Sequence, residues 1–230
     1  MTQPNEQILV IVPAYNEAAV IRKTVRGLLD AGYPVVVVDD CSTDGTAEKI
    51  SDLNLFYIRH AINLGQGAAL MTGMAFARRR DMDYVVHFDA DGQHQVEDIP
   101  GLLAPLLEGV ADITLGSRFL RRESRRLVPP LRRVLLKIAV LINGLFANMW
   151  LTDAHNGLRA LNHRALEKIQ LRENGMAHAT EILSEIRQKK LRYREVPMKA
   201  RYTEYSRSKG QSALDSLSIL TDLIIRKIFL

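Results

Sequence analysis

Short apolar runs alternate with amphipathic segments along the first half of the chain. Runs rich in β-branched residues at 8–12 and 35–40 are typical of buried parallel strands, and residues 18–30 between them carry apolar positions at helical spacing. The same pattern predicts further strands at 55–59, 84–88 and 112–115, and helices at 46–51, 67–80 and 96–108. Such alternation predicts an α/β fold with a mainly parallel, doubly wound sheet and right-handed crossovers.

Polar loops follow three of the predicted strands. They cover residues 13–17, 39–42 and 89–91. In sheets of this kind, ligands bind beyond the carboxyl ends of the strands. The three loops are therefore expected to face one another across a single crevice.

The regular alternation ends after Gly116. Residues 131–151 have helical spacing and are mostly apolar, but their charge-free part from Ile138 to Leu151 is shorter than the roughly 20 residues that span a bilayer. This segment is either a core helix or a helix in a membrane interface, and the seven arginines at or just before its start favour the interface. Further strands are predicted at 156–161 and 193–201, a helix at 180–190, and an amphipathic helix at 213–230.

Charge is concentrated in one window. The net charge is +5, yet residues 118–137 alone carry eight basic residues and one acid, which leaves −2 for the rest of the chain. An anionic partner is expected there. The window lacks interleaved aromatic residues and any nucleic-acid-binding motif, so we expect an anionic membrane surface and no nucleic acid. The single cysteine, Cys41, excludes an intramolecular disulfide and fits a reducing cytosol.

Asp89 and Asp91 stand directly after a buried apolar strand. Side chains two residues apart in an extended segment point the same way, so this pair can converge on one hard cation, with Gly92 allowing the chain to turn. Aspartates also cap helices and form turns. The pair alone is therefore weak grounds for a metal site.

Four motifs in order carry a resemblance to a known family. They are P-A-Y-N-E after the first strand, V-D-D-x-S-x-D-G-T after the second, N-x-G-x-G-x-A before the third helix and D-A-D-G-Q-H after the fourth strand. Together they resemble family 2 glycosyltransferases of GT-A fold, over roughly residues 8–118. G-S-R at 116–118 and D-A-H-N-G-L-R at 153–159 are similar to the dolichyl-phosphate mannose synthase-like, polyprenyl-phosphate branch.

This resemblance implies a donor site for a nucleoside diphosphate sugar, GDP- or UDP-linked. Pro13, Tyr15, Glu17, Asp40 and Asp89 would bind the nucleotide, with Asp40 accepting a hydrogen bond from the base. Asp89, Asp91 and Gln93 would hold Mg²⁺ or Mn²⁺, and Asp91 would be catalytic. His94 would touch phosphate or acceptor, or is a surface histidine, and His87 is expected to be structural. Lysine is common in the family where this chain has Gln66, so Gln66 is left outside the site, while Gly67 opens a helix whose N-terminus favours anions.

On the acceptor side, the resemblance singles out Asp153 as a base or an orienting residue. Arg118, Arg159, Arg201 and Lys209 would meet phosphate. The last two belong to a basic segment that is either a lid closing over the diphosphate or a solvated loop. A hydroxyl acceptor needs a carboxylate base, whereas a phosphate monoester is already ionised at neutral pH, so Asp153 would then only orient. Q-x-x-R-W, the signature of processive synthases, is absent from the sequence, so repeated polymerisation is not expected.

The expected protein has a Rossmann-like GT-A domain, helices on both faces of its sheet, and amphipathic interfacial helices. Its parts are a nucleotide-sugar half (1–119), a basic and apolar segment (120–152), an acceptor-side half (153–209) and a C-terminal helix (210–230). It is expected to be an inverting, metal-dependent glycosyltransferase that acts on a polyprenyl phosphate or other lipid-linked acceptor, peripheral on the cytosolic face of the membrane. Alternatives are transfer to a saccharide hydroxyl and a non-catalytic nucleotide-sugar or lipid-binding module. The sequence leaves open whether a small membrane protein takes part.

Overall fold

The computed structural model describes residues 7–121, 149, 151–153, 156–175 and 177–199. Seven strands and five α-helices are present in these residues. The strands are β1 (Ile8–Ala14), β2 (Val35–Asp39), β3 (Phe56–Arg59), β4 (Tyr84–His87), β5 (Ile113–Ser117), β6 (Arg159–Asn162) and β7 (Tyr193–Pro197). The helices are α1 (Ile21–Asp30), α2 (Gln66–Arg79), α3 (Ile99–Leu107), α4 (His163–Lys168) and α5 (His178–Gln188).

All seven strands form one sheet in the order β3-β2-β1-β4-β6-β5-β7. β1 pairs in parallel with both β2 and β4, and β2 pairs in parallel with β3. β6 is antiparallel to both of its neighbours, β4 and β5, while β7 returns parallel to β5. The mainly parallel sheet is confirmed, and one antiparallel strand from the second half of the chain joins its two parts.

Helices cover both faces of the sheet, as expected. On one face, α2, α4 and α5 pack on alternate strand residues such as Leu9, Ile11 and Val85. On the other face, α1 and α3 pack on the intervening residues, among them Val10 and Val86. Both faces of the central strands are therefore buried, which explains why the sequence of those strands is continuously apolar.

Local sequence explains the main differences from the predicted elements. The helix predicted at 96–108 divides into a 3₁₀ turn, Val96–Asp98, and α3, with Pro100 in the first turn where its missing N–H is tolerated. The helix predicted at 46–51 is only a 3₁₀ turn, Glu48–Ile50. α4 was not predicted; Asn162 caps it by accepting a hydrogen bond from the N–H of Ala165 (2.9 Å).

Across the residues that the structure covers, no helix has the length and apolar character needed to cross a membrane. The predicted interfacial helices at 131–151 and 213–230 lie outside the described residues, apart from Met149 and Leu151, which are both buried. Arg201 and Lys209 also lie outside them.

Candidate active site

The loops that follow β1, β2 and β4 meet at the carboxyl edge of the sheet. Asn16 connects the first two loops: its N–H donates to Ser42 Oγ (2.9 Å), and its Oδ1 accepts from the N–H of Thr43 (2.8 Å). Asn16 and Cys41 both have left-handed backbone conformations, with φ of 54° and 68°. Such conformations cost energy in residues with a Cβ and are frequent at binding sites. The three loops therefore lie close together, as expected, and a single crevice between them stays a prediction.

Asp89 is held from two directions. Its Oδ1 accepts a hydrogen bond from Gln66 Nε2 (2.9 Å), and its Oδ2 lies 2.9 Å from Nε2 of His94. His94 is buried and packs edge-on against Phe88, with ring centroids 5.4 Å apart, so it is not a surface histidine. Burial favours a lower pKa for His94, but the hydrogen bond and the charge of Asp89 outweigh that effect. The net result is a raised pKa of His94.

Asp91 has a different environment, although it is only two residues further along. Its Oδ1 accepts from the backbone N–H of Gln93 (2.9 Å), and Gly92 between them turns the chain with φ of 74°. Burial and the neighbouring charge of Asp89 raise the pKa of Asp91 to about 6, and Glu17 adds to this effect. Glu17, which was predicted to line the nucleotide site, therefore lies close to the carboxylate pair.

Among the described residues, no three His, Cys, Asp or Glu side chains converge as a complete metal cage. Mg²⁺ sites that also bind substrate phosphates need only one or two protein carboxylates, because phosphate and water supply the remaining ligands. The oxygen donors of Asp89, Asp91 and Gln93 suit such hard ions. The residues present therefore fit a divalent cation shared with a diphosphate.

Asp40 is buried at the end of β2, and its carboxylate already has several donors. The backbone N–H groups of Leu64 and Gly65 donate to it (2.9 and 2.6 Å), and Nδ1 of His60 lies 2.7 Å away. Asp40 thus fixes the loop before α2. Its predicted contact with a base stays a prediction.

Pro13 and Tyr15 lie at the carboxyl end of β1. Pro13 is buried within the strand, while Tyr15 just beyond it is 47% exposed. The predicted roles of both residues in nucleotide binding stay predictions.

Backbone N–H groups in the first turn of α2 are already hydrogen-bonded to another segment of the protein. The N–H groups of Gly67 and Ala68 both donate to the carbonyl oxygen of Asn174 (2.7 and 3.2 Å). A Cβ on Gly65 would lie 2.4 Å from that oxygen, and one on Gly67 would lie 2.0 Å from the carbonyl oxygen of Glu173. The expectation that this helix N-terminus receives an anion is therefore wrong. The two glycines instead allow close approach of the segment at 173–174.

Arg118 and Asp153, which were predicted for the acceptor side, bind each other. Nε and Nη2 of Arg118 donate to the two oxygens of Asp153 (2.7 and 2.8 Å), and the N–H of Arg118 donates to one of them as well (3.1 Å). Both side chains are almost fully buried. A buried, bidentate pair of this kind fixes the geometry of both side chains.

Arg159, on β6, is one of the largest fully buried side chains in the described part of the chain. Burial lowers its pKa to about 10, against the opposing influence of Asp89 and Asp153. The guanidinium of Arg159 therefore lies near the carboxylates of both Asp89 and Asp153. Arg159 pairs in register with His87 on the neighbouring strand β4. Burial lowers the pKa of His87 to about 3, consistent with the expected structural role of a neutral histidine.

Three positions were missed by sequence reasoning. Gln66 was set aside, although its amide holds Asp89. Gly157 stood in the D-A-H-N-G-L-R motif but was given no role, yet a Cβ there would lie 2.2 Å from Asp89 Oδ2. His60 bridges Asp40 and Thr72, with its Nε2 2.9 Å from Thr72 Oγ1. All three contacts join residues that are distant in sequence.

Residues 9–170 match the family model described as glycosyl transferase family 2. This match covers more than half of the chain and includes every strand-end motif of the crevice. The chain belongs to glycosyl transferase family 2. The enzyme activity predicted from its motifs is confirmed at that level.

Relatives of this glycosyltransferase agree with the polyprenyl-phosphate branch. It is 31% identical to a UDP-N-acetylglucosamine–dolichyl-phosphate N-acetylglucosaminyltransferase of Methanococcus voltae, over 96% of each chain. It is 34% identical to a polyprenol monophosphomannose synthase of Mycolicibacterium smegmatis, over 74% of this chain and 66% of that protein. An uncharacterised protein of Methanocaldococcus jannaschii is 36% identical, over 97% of this chain and 93% of its own.

The fold of the glycosyltransferase is shared with a solved structure. Glucosyl-3-phosphoglycerate synthase of Mycobacterium tuberculosis, in complex with Mn²⁺, UDP and phosphoglyceric acid, superposes with a TM-score of 0.70 at 18% identity. The superposition covers 95% of this chain and 78% of the other. The predicted GT-A fold is confirmed.

Proposed function

We propose that this glycosyltransferase moves one sugar from a nucleoside diphosphate sugar to a polyprenyl phosphate or another lipid-linked acceptor, with inversion. The relatives named for dolichyl-phosphate and polyprenol substrates support this acceptor class. Their names include a UDP-linked sugar and mannose, so both UDP- and GDP-linked donors are candidates.

The Arg118–Asp153 pair is the observation that favours a phosphate acceptor over a hydroxyl. A hydroxyl nucleophile needs a base to take its proton. Asp153 is the sequence candidate for that base, but both of its oxygens accept hydrogen bonds from Arg118. A phosphate monoester needs no such base because its second pKa is about 6. Asp153 then serves to orient Arg118, whose cationic side chain suits a phosphate.

In the proposed reaction, an ionised oxygen of the acceptor phosphate attacks the anomeric carbon opposite the leaving group. A new carbon–oxygen bond forms as the bond to the nucleoside diphosphate breaks, and the electron pair leaves with the diphosphate. Asp89, Asp91 and Gln93 would hold the cation. Mg²⁺ or Mn²⁺ bound there would neutralise charge on the departing diphosphate.

A labelled-sugar transfer assay tests this function. The enzyme is incubated with Mn²⁺, polyprenyl phosphate and radiolabelled UDP-N-acetylglucosamine, UDP-glucose or GDP-mannose in turn. We expect one donor to give an acid-labile product that partitions into organic solvent. A product only on saccharide acceptors would support the hydroxyl alternative, and neither transfer nor donor hydrolysis would support a non-catalytic module.

Asp91→Asn is the matched inactive variant for this assay. Removing the carboxylate should lower transfer about 1000-fold, since metal stabilisation of the leaving group contributes several kcal/mol. Asp81→Asn is the control: Asp81 is exposed with φ of 53°, a conformation that asparagine tolerates. Full activity of Asp91→Asn, or of the wild type in a metal chelator, would contradict the metal-dependent mechanism.

We also propose that the enzyme works as a peripheral protein on the cytosolic face of an anionic membrane. A lipid-linked acceptor places its phosphate at the bilayer surface. The basic window at 118–137 would bring the crevice there, although only Arg118 and Arg121 of its basic residues are among the described residues. Participation of a small membrane protein stays open to a pull-down from membranes.

A further inference from the structure

The carboxylate of Asp89 is contacted by three separate segments of the chain. Gln66 at the start of α2 donates to one oxygen, and His94 from the loop after β4 contacts the other, each at 2.9 Å. The backbone of Gly157 closes the third side, because even a Cβ there would lie 2.7 Å from the carboxylate carbon. The plane of this carboxylate is therefore fixed before any ligand arrives.

The backbone on both sides of Gln66 is fixed by hydrogen bonds. It is the first residue of α2, and the next two backbone N–H groups are fixed by the carbonyl oxygen of Asn174. On its other side, the N–H of Gly65 is fixed by Asp40 at 2.6 Å. Backbone that is anchored before and after Gln66 fixes the point from which its side chain extends to Asp89. The amide therefore holds Asp89 in place.

The amide of Gln66 is also neutral. An ammonium at this position would direct a full positive charge at Asp89 and oppose the approach of a divalent cation. A carboxamide donates its hydrogen bond and leaves the negative charge of Asp89 available. Each oxygen of Asp89 keeps a second lone pair for a metal or for a donor hydroxyl.

We propose that Gln66 is a positioning residue for the divalent-cation site, which orients Asp89 and maintains metal affinity without neutralising the site. This inference rests on the proposed function, because it assigns a role toward the cation that the reaction would use. It identifies a neutral hydrogen-bond donor at residue 66 as a determinant of metal affinity. Removing the supporting partner of a metal ligand typically weakens metal binding about 10–100-fold.

The test is Mn²⁺ binding to the full chain without donor or acceptor, measured by electron paramagnetic resonance. Gln66→Met keeps the length of the side chain but removes the N–H donor, and its Mn²⁺ Kd should rise about 10-fold. Gln66→Lys adds a cation, and its Kd should rise at least as much. Gln188→Met and Gln188→Lys are the controls, since Gln188 is exposed at the end of α5. They should leave the Kd unchanged.

A second readout separates positioning from general damage. Circular dichroism should show that both Gln66 variants are folded, and nucleoside diphosphate binding in a chelator should match the wild type. A Gln66→Met Kd within about 2-fold of the wild type would overturn the inference and leave the proposed function intact. An equal loss of metal-free nucleotide binding would also overturn it, as would a Gln66→Lys variant that binds Mn²⁺ normally. A wild type that binds no Mn²⁺ would overturn the inference together with the metal part of the proposed function.

Discussion

At the scale of single residues, Asp89 and Asp91 are close in sequence but differ in what surrounds them. Asp89 is bound by two side chains from elsewhere in the fold, whereas Asp91 accepts a hydrogen bond from the backbone of its own loop. Burial and the charge of Asp89 together raise the pKa of Asp91 to about 6. A cation between the two would relieve this repulsion.

Gly157 gives a prediction at this scale. In Gly157→Ala the new Cβ would lie 2.2 Å from Asp89 Oδ2, so the carboxylate must move. We expect kcat to fall at least about 10-fold, because small displacements of catalytic groups are costly to the rate. The control is Gly101→Ala in α3, where the nearest atom would be 3.7 Å away, and its kcat should match the wild type. Equal kcat values for both variants would show that the Gly157 contact is unimportant.

At the scale of elements, α2 connects the core to the active site. Its Gly73 packs directly against β1, and a Cβ there would lie 2.3 Å from Ile11 Cγ2. The N-terminal end of the same helix carries Gln66, which holds Asp89. The close contact with Ile11 therefore fixes how far the helix, and with it the Gln66 amide, stands from the sheet.

Gly73→Ala and Gly27→Ala should change stability in opposite directions. Both glycines are in helix interiors, where alanine is favoured by up to about 1 kcal/mol. At Gly73 overpacking costs roughly 1–3 kcal/mol, which offsets or exceeds that gain, so a net loss of up to about 2 kcal/mol is expected. At Gly27 the nearest atom would be Val96 Cγ2 at 3.5 Å, an ordinary contact, so a gain is expected. Urea unfolding followed by circular dichroism measures both, and a stabilised Gly73→Ala would contradict the packing described here.

Asp112 anchors the strands of the second half of the sheet. It is buried, and Nη2 of Arg192 lies 2.8 Å from its Oδ1, while the N–H of Arg192 donates to its Oδ2 (2.9 Å). These hydrogen bonds with Arg192 hold the pKa of Asp112 well below its usual value despite its burial. A carboxyl whose pKa is lowered on folding stabilises the protein above its unfolded pKa of about 3.9 and loses that contribution as the pH falls below it.

Asp112→Asn should therefore destabilise the protein in a pH-dependent way. At pH 7 we expect a loss of roughly 1.5–3 kcal/mol in the free energy of unfolding, from hydrogen bonds to a charged group. The difference from the wild type should shrink as the pH falls below about 4, because Asp112 then takes up a proton in the unfolded chain while it stays ionised in the folded protein. Urea titrations between pH 3 and 7 measure it, with Asp81→Asn as the control. A difference that is constant with pH would contradict an ionised Asp112.

At the scale of the whole molecule, the sheet brings both halves of the chain to one crevice. β6, from the second half, lies between β4 and β5 from the first. This places Arg159 and Gly157 beside Asp89. Arg159 also lies close enough to Asp153, the partner of Arg118, for the charge of that carboxylate to raise its pKa. The division into a nucleotide-sugar half and an acceptor-side half stays a prediction about function, because both halves contribute strands to one sheet.

Membrane association is the prediction at this scale. Replacing Arg125, Arg126, Arg132 and Arg133 with glutamine should weaken binding to vesicles with anionic lipid at least about 10-fold, since each basic residue near such a surface contributes about 1 kcal/mol. The effect should disappear in high salt. A control replaces four exposed lysines elsewhere, Lys23, Lys49, Lys168 and Lys189. Vesicle sedimentation measures both variants, and equal losses would show that only net charge matters.

The alternation of strands and helices, and the edge of the sheet at which the polar loops lie, could be predicted from the sequence. Both follow from local rules, because burial on two faces demands continuous apolar runs, and parallel strands end at one edge. The hydrogen-bond partners of Asp89 and Asp153, in contrast, are known only from the tertiary structure. The Gln66–Asp89 bond spans 23 positions, the Arg118–Asp153 pair spans 35, and the strand that carries Arg159 runs antiparallel. Contacts between distant residues depend on how helices and strands pack, and no local pattern in the chain encodes that packing.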